Sequence, residues 1–263
     1  MDRSRRTAGR LAAADGAGPP AEAVTNVTPQ IKDTPLIISH THKYIFLKSL
    51  KTAGTSVEAA LSKHCGAGDM VTPLGDYWFN RDERGEWVHS AMNSEGFYQH
   101  DSAADVKRKV DPELWKSYFK FSISRNPWDR VVSLFSWEAR NRPELKPVRK
   151  LHHKLGVPFD EFVETARLFR EFVVGEWSTN DHIYLIDDEL CVDYMIRYES
   201  LSDDVDEVCR RVGIAKVELP RLKAGIRQKD HPYTDYYDEA SRAVVAERHR
   251  RDIELLGYRF GDA

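Results

Sequence analysis

The chain reads Tyr44-Ile-Phe-Leu-Lys-Ser-Leu-Lys-Thr-Ala-Gly-Thr-Ser56 near its start, and this segment governs the interpretation of the rest. Its first four residues, Tyr44 to Leu47, are apolar and β-prone, which is typical of a short buried strand. A loop over residues 48–54 follows, and Thr55-x-x-Glu58 has the spacing of a capping box that opens a helix reaching about Lys63. A strand, a glycine-containing loop and a helix N-terminus in this order form a layout that binds anions.

The loop from Lys51 to Ser56 is the first candidate binding site. Backbone N–H groups at the helix start and a flexible glycine favour a phosphate cradle, with a lysine as its point charge. The residues assigned to it are Lys51, Thr52, Ala53, Gly54, Thr55 and Ser56. The loop is not a Walker A motif, because its lysine precedes the last glycine instead of following it. An ordinary strand-to-helix turn with a surface lysine is the alternative.

A second candidate site follows Phe119-Lys-Phe-Ser-Ile-Ser124, whose alternation of apolar and polar residues predicts another strand. Arg125 stands at the end of that strand, where ligands of open α/β sheets bind. Pro127 then opens a helix through about Arg140, and Ser133 lies two helical turns beyond Arg125. A guanidinium fork and a hydroxyl in this arrangement suit one phosphate group. For Arg125 alone, a strand-end salt bridge is the alternative.

The remaining pattern predicts an α/β fold, with a parallel sheet covered by helices on both faces in a single domain. Further helices are expected at 159–172, 203–212 and 238–256, and an extended segment at 193–198. Residues 1–33 are rich in Ala, Gly, Pro and Arg, and we expect a disordered tail, with an organellar presequence as the alternative.

Composition excludes several classes of protein. The chain has 263 residues, 31% of them charged, and a formal net charge of −3, which disfavours a general nucleic-acid binder. Its apolar runs are far shorter than the roughly 20 residues that cross a bilayer. The three cysteines, Cys65, Cys191 and Cys209, are widely spaced and fit free thiols in a reducing, cytoplasmic compartment. No spacing indicates a metal site.

Taken together, the loop beginning at Lys51 and the segment Arg125-Asn-Pro-Trp-Asp-Arg-x-x-Ser133 resemble the two halves of the donor site in the PAPS-dependent sulfotransferases. PAPS is 3′-phosphoadenosine 5′-phosphosulfate. The resemblance is to the carbohydrate and bacterial-type branch and extends to about Phe260. It implies a P-loop-like fold over residues 34–263. The first loop would bind the 5′-phosphosulfate, and Arg125 and Ser133 the 3′-phosphate. Leu50 departs from a usual proline, and Ser124 from a usual valine.

The same resemblance implies the catalytic groups. Lys51 would be both ligand and catalyst, placed near the oxygen on which charge develops as the phosphate leaves. His100 matches the position of a base histidine in carbohydrate-type members, with His89 as the next candidate. Arg227 and Lys229 fall where relatives place a loop over the nucleotide. From their polar surroundings in the sequence, His42, His152, His153 and His249 are expected on the surface.

The predicted function is therefore sulfuryl transfer from PAPS to a hydroxyl or amine of a carbohydrate or small-metabolite acceptor, without a metal. A P-loop-type nucleotide-dependent kinase and a non-catalytic nucleotide-binding protein are the alternatives. The acceptor would be selected by the insertions at 64–99 and 140–158, whose sequence does not identify it.

Overall fold

The structure is a computed structural model that describes residues 36–73, 91–97, 101–139, 161–222 and 231–262. All of these fall within one compact unit that begins at Ile31. The expected tail lies outside the described residues. The strands are β1 (Leu36–Ser39), β2 (Tyr44–Leu47), β3 (Met70–Val71), β4 (Phe119–Ser124), β5 (Leu185–Ile186), β6 (Glu189–Leu190) and β7 (Tyr194–Arg197).

Five of these strands form a mixed central sheet in the order β3-β1-β2-β4-β7, and β5 and β6 form a separate hairpin. Strands β2, β4 and β7 are parallel, with Phe46 opposite Phe121 and Phe121 opposite Tyr194. Strand β1 is antiparallel to both of its neighbours. The prediction of a parallel sheet is therefore wrong at this edge. Only residues 40–43 connect β1 to β2, whereas a parallel crossover needs a dozen or more residues.

The described residues form nine α-helices, and the single helix expected over 238–256 is divided into two at His249. They are α1 (Gly54–Leu61), α2 (Ala103–Lys109), α3 (Pro112–Ser117), α4 (Pro127–Ala139), α5 (Glu161–Val174), α6 (Asp181–Tyr184), α7 (Leu201–Val212), α8 (Glu239–Arg248) and α9 (Arg250–Leu256). Ser102 and Asp105 form a reciprocal capping box at α2. The box expected at Thr55 and Glu58 is wrong, because the N-cap of α1 is Ala53, two residues before Thr55.

Helices cover both faces of the sheet, as predicted. On one face α1 and α7 pack against Phe46 and Phe121, and on the other α2 and α6 pack against Ile45 and Leu47. The alternation along β2 thus sends successive side chains into two different cores. A third core joins α4, α5 and α8. Within the described ranges, no helix combines the length and the apolar character that crossing a bilayer demands. The three cysteines are free thiols.

His249 lies at the break between α8 and α9, and its expected surface position is wrong because its side chain is only 1% exposed. Its Nδ1 is 2.6 Å from Asp252 Oδ2, and Trp177 stacks on its ring. Its Nε2 is 3.5 Å from Nη1 of Arg130. A guanidinium only donates, so Nε2 accepts and Nδ1 carries the proton. Burial and the charge of Arg130 lower the pKa of His249 despite the opposing effect of Asp252.

This shift predicts a loss of stability in mild acid. The folded pKa of His249 lies below the unfolded value of about 6.5, so the unfolded chain binds the proton more readily. The contribution is complete above pH 6.5 and declines as the pH falls from there towards the folded pKa. Urea unfolding between pH 7.5 and 5 should show a steeper decline for the wild type than for His249→Gln. Equal slopes in the two proteins would contradict this assignment.

Candidate functional site

A cavity of about 1270 Å³ opens where the parallel strands β2, β4 and β7 end. This is the edge at which open α/β sheets bind ligands. The structure brings both candidate segments to this cavity, together with residues that the sequence did not indicate. Its lining comprises residues 48–56, Arg125, Ser133, Leu134, Ser136, Trp137, Tyr198, Leu201, Ser202, Val205, residues 216–222, His231 and Pro232.

The loop between β2 and α1 has an unusual backbone. Lys51 and Ala53 have φ values of 63° and 65°, in the left-handed region that residues other than glycine rarely adopt. Such a conformation costs roughly 1–3 kcal/mol and persists only where the surroundings enforce it. The hydroxyl of the intervening Thr52 is engaged inside the loop, 3.1 Å from the carbonyl oxygen of Ser49. The hydroxyl of Thr52 thus helps to hold the loop, and the role of this residue as a donor ligand stays a prediction.

Gly54 is required by a close approach, not by its φ value. A Cβ atom at this position would lie 2.5 Å from Cγ of Lys48. Lys48 is itself buried, and its Nζ lies 3.1 Å from Oε2 of the buried Glu58 on α1. The glycine thus lets the lysine pass beneath the start of α1. The side chain of Ala53 makes no capping hydrogen bond to the first backbone N–H groups of α1.

Two residues that sequence reasoning missed, Asn180 and Arg130, hold this loop through hydrogen bonds to the backbone of Leu50. The carboxamide of Asn180 accepts from Leu50 N at 3.0 Å and donates to Leu50 O at 2.9 Å. The buried guanidinium of Arg130 donates to the same carbonyl oxygen at 3.2 Å. Arg130 is the second arginine of the segment that begins at Arg125, so the motif contained a signal. The sequence around Asn180 contains no recognisable motif that would have indicated this role.

Arg125 connects the two candidate segments. Its Nη1 donates to the carbonyl oxygen of Lys51 at 3.1 Å, and its plane lies 4.0 Å from the ring of Tyr198. Its Nε and Nη2 bind the carboxylate of Asp129 at 2.7 and 2.6 Å, so the strand-end salt bridge does form. A guanidinium has five N–H donors, and these contacts use three of them. Arg125 therefore retains donors for a ligand while it orders the loop.

Lys51 already reaches into the cavity. Its Nζ lies 4.3 Å from the ring centroid of Trp137 on α4, a cation–π contact that the sequence did not suggest. Ser133 lines the cavity on the same helix. Two further cations, Lys216 and Arg221, line the same cavity, and Lys216 also forms an ion pair with Asp206. The cavity is thus rich in positive charge, which suits an anionic ligand.

Two further residues, Glu199 and Tyr258, make contacts on either side of Arg125 at the end of β4. Glu199 accepts a hydrogen bond from the backbone N–H of Asn126 at 2.7 Å and lies 3.5 Å from the hydroxyl of Tyr258. The unusual residue Ser124 lies 2.6 Å from that same hydroxyl through its Oγ. The departure from valine therefore provides a polar contact and leaves the strand end intact. These contacts hold the backbone on both sides of Arg125 and so fix the position of that residue at the end of β4.

Four predicted site residues, His89, His100, Arg227 and Lys229, lie outside the described residues. One histidine that sequence reasoning passed over, His231, does line the cavity, where it stacks on Phe162 with 3.6 Å between ring centroids. Across the described ranges, no group of three or more His, Cys, Asp or Glu side chains is suitably placed to hold a metal ion. The prediction of a metal-free reaction stays a prediction.

Comparison with known proteins defines the class. The model of the sulfotransferase family matches residues 34–259, so the chain belongs to that family and is a sulfotransferase. Carbohydrate sulfotransferase 10 of Xenopus laevis is 24% identical over 254 residues, which cover 85% of this chain and 67% of that protein. The Gallus gallus protein of the same name is 24% identical over 256 residues, covering 86% and 67%. No solved structure gives a significant match.

A further similarity is confined to part of the chain. An uncharacterized protein of Archaeoglobus fulgidus is 29% identical over 109 residues, which cover 41% of this chain and 79% of that protein.

The contact at Gly54 yields a prediction. Gly54→Ala should displace Lys48 from Glu58 and destabilise the protein by about 1–3 kcal/mol, the usual effect of overpacking. Gly68→Ala is the matched control, because a Cβ there meets nothing within 4 Å and should change stability by less than about 0.5 kcal/mol. Chemical denaturation of both variants measures the difference. Equal stability of the two would contradict the required close approach.

Proposed function

We propose that this sulfotransferase takes its sulfuryl group from PAPS and transfers it to a hydroxyl or amine of a carbohydrate or small-metabolite acceptor. The acceptor atom would attack sulfur in line, the bond from sulfur to the phosphate oxygen would break, and adenosine 3′,5′-bisphosphate would leave. One observation carries the proposal. The hydrogen bond from Arg125 to the carbonyl of Lys51 joins the two phosphate-type segments at one edge of the sheet.

The 5′ end of the donor is assigned to the loop before α1. Backbone N–H groups at a helix start carry partial positive charge and favour an anion. Lys51 adds a full charge whose position beside Trp137 is already inside the cavity. We assign to its ammonium the stabilisation of charge that develops on the leaving phosphate.

The 3′-phosphate is assigned to Arg125 and Ser133. Arg125 keeps N–H donors beyond its bonds to Asp129 and Lys51, and Ser133 lines the same cavity from α4. A charge-assisted fork with a hydroxyl distinguishes a bisphosphorylated adenosine from a nucleotide phosphorylated only at its 5′ end. This distinction also separates the proposal from the kinase alternative, for which a 3′-phosphate has no purpose.

The acceptor and the general base complete the proposal. The names of the two carbohydrate sulfotransferases above support a carbohydrate acceptor. His100 remains the proposed base on the resemblance of its sequence position, and a cytoplasmic location remains a proposal drawn from the free thiols. His89 stays the next candidate from the sequence, and His231 is a further candidate because this residue lines the cavity.

The assignment of the 3′-phosphate predicts a selective binding defect. Ser133→Ala should weaken adenosine 3′,5′-bisphosphate about 10-fold and leave ADP binding unchanged, because the variant removes one hydrogen bond to a charged group. Ser136→Ala is the matched control, since that hydroxyl lies on the same cavity wall and already donates to the carbonyl of Val132. Calorimetric titration gives both dissociation constants. An equal loss for both nucleotides would refute the assignment.

The assignment of the base predicts a turnover defect. His100→Ala should lower turnover about 10²–10⁴-fold, the usual contribution of a positioned base, with the affinity for the donor close to wild type. Turnover of the wild type should fall as the pH drops through the pKa of the imidazole, and the variant should lose that acid limb. His231→Ala is measured in parallel. Near-normal turnover in His100→Ala with a deficient His231→Ala would move the role to His231.

A further inference from the structure

One of the two residues with a left-handed backbone in the candidate site is also its proposed catalyst. Lys51 has a φ of 63°, and the peptide groups on either side of it determine whether that conformation is maintained. The peptide group before Lys51 contains the carbonyl of Leu50. The peptide group after it contains the carbonyl of Lys51 itself. Arg125 binds the second carbonyl, as described above. The first is bound by residues outside the cavity lining.

We propose that Asn180 and Arg130 are positioning residues that fix the left-handed backbone of Lys51 by clamping Leu50. Asn180 contacts both backbone groups of Leu50, the N–H at 3.0 Å and the C=O at 2.9 Å, so it fixes two successive peptide planes. Arg130 adds a second hydrogen bond to the C=O of Leu50, at 3.2 Å. Neither residue lines the cavity, and the clamp therefore acts on the donor only through the loop.

The clamp is itself held in place. Asn180 is 2% exposed and Arg130 is likewise 2% exposed, so neither side chain exchanges its contacts freely with water. Arg130 Nη2 donates to the carbonyl of Ser178 at 2.7 Å and lies 3.3 Å from Oδ1 of Asn180. Its Nη1 meets His249, which Asp252 orients. Buried polar groups in such a network are costly to leave unpaired, and this enforces a single geometry.

This inference rests on the proposed binding of PAPS, and its test begins with a readout that needs no ligand. Hydrogen exchange of residues 48–56 in the free protein should be at least 10-fold faster in Asn180→Ala than in the wild type. Asn180→Asp keeps an acceptor for Leu50 N–H but loses the donor to Leu50 C=O, so it should give an intermediate rate. Ser178→Ala is the control, because it removes a nearby hydroxyl while leaving the carbonyl that Arg130 binds. Its exchange should match the wild type.

The second readout is the affinity for adenosine 3′,5′-bisphosphate. We expect a loss of 10-fold or more in Asn180→Ala, a smaller loss in Asn180→Asp and none in Ser178→Ala. Unchanged exchange in Asn180→Ala overturns the clamp, and so does faster exchange with unchanged affinity. Should the wild type not bind the bisphosphate, the proposed donor fails, and exchange alone then decides whether Asn180 holds the loop. Global unfolding in Asn180→Ala would accelerate exchange throughout the chain, and the folded Asn180→Asp then serves as the deciding variant: wild-type exchange there overturns the clamp.

Discussion

The structure depends on the hydrogen bonds that the backbone groups of the buried turn between β2 and α1 form. Between the end of β2 and the start of α1 the chain leaves the sheet, yet residues 48–50 stay buried and lose their strand partners. A buried N–H or C=O group without a partner is costly, so each must be met by another element. The carbonyl of Ser49 accepts from the hydroxyl of Thr52, and the N–H and C=O of Leu50 are bound by Asn180 and Arg130. The position of the phosphate-type loop follows from these contacts.

The same contacts explain why cations can gather at this edge. Lys48 and Arg125 each have a carboxylate partner, Glu58 and Asp129, which offsets the cost of burying them. Lys51 also rests on the aromatic ring of Trp137, a cation–π contact that stabilises its charge. Several cations therefore line the cavity near the loop. An anionic donor would complete that arrangement.

Sequence reasoning succeeded where local patterns determine structure. The alternation in β4, the proline at the start of α4 and the placement of Arg125 at a strand end all depend on near neighbours along the chain. It failed where long-range contacts decide: Thr55 and Glu58 have a capping spacing, but Glu58 is drawn to Lys48. His249 lies in a polar sequence, and only the fold brings Arg130 and Trp177 to it. The clamp at Asn180 spans 130 residues and has no local signature.

A crystal structure with adenosine 3′,5′-bisphosphate bound tests most directly whether the loop before α1 and the Arg125 segment form one donor site. We predict the 5′-phosphate within hydrogen-bonding distance of the backbone N–H groups of residues 51–56 and of Lys51 Nζ. The 3′-phosphate should contact Arg125 and Ser133, with φ of Lys51 still positive and Asn180 still on Leu50. A nucleotide bound in the opposite direction, or outside this cavity, would contradict the assignment of both phosphate sites.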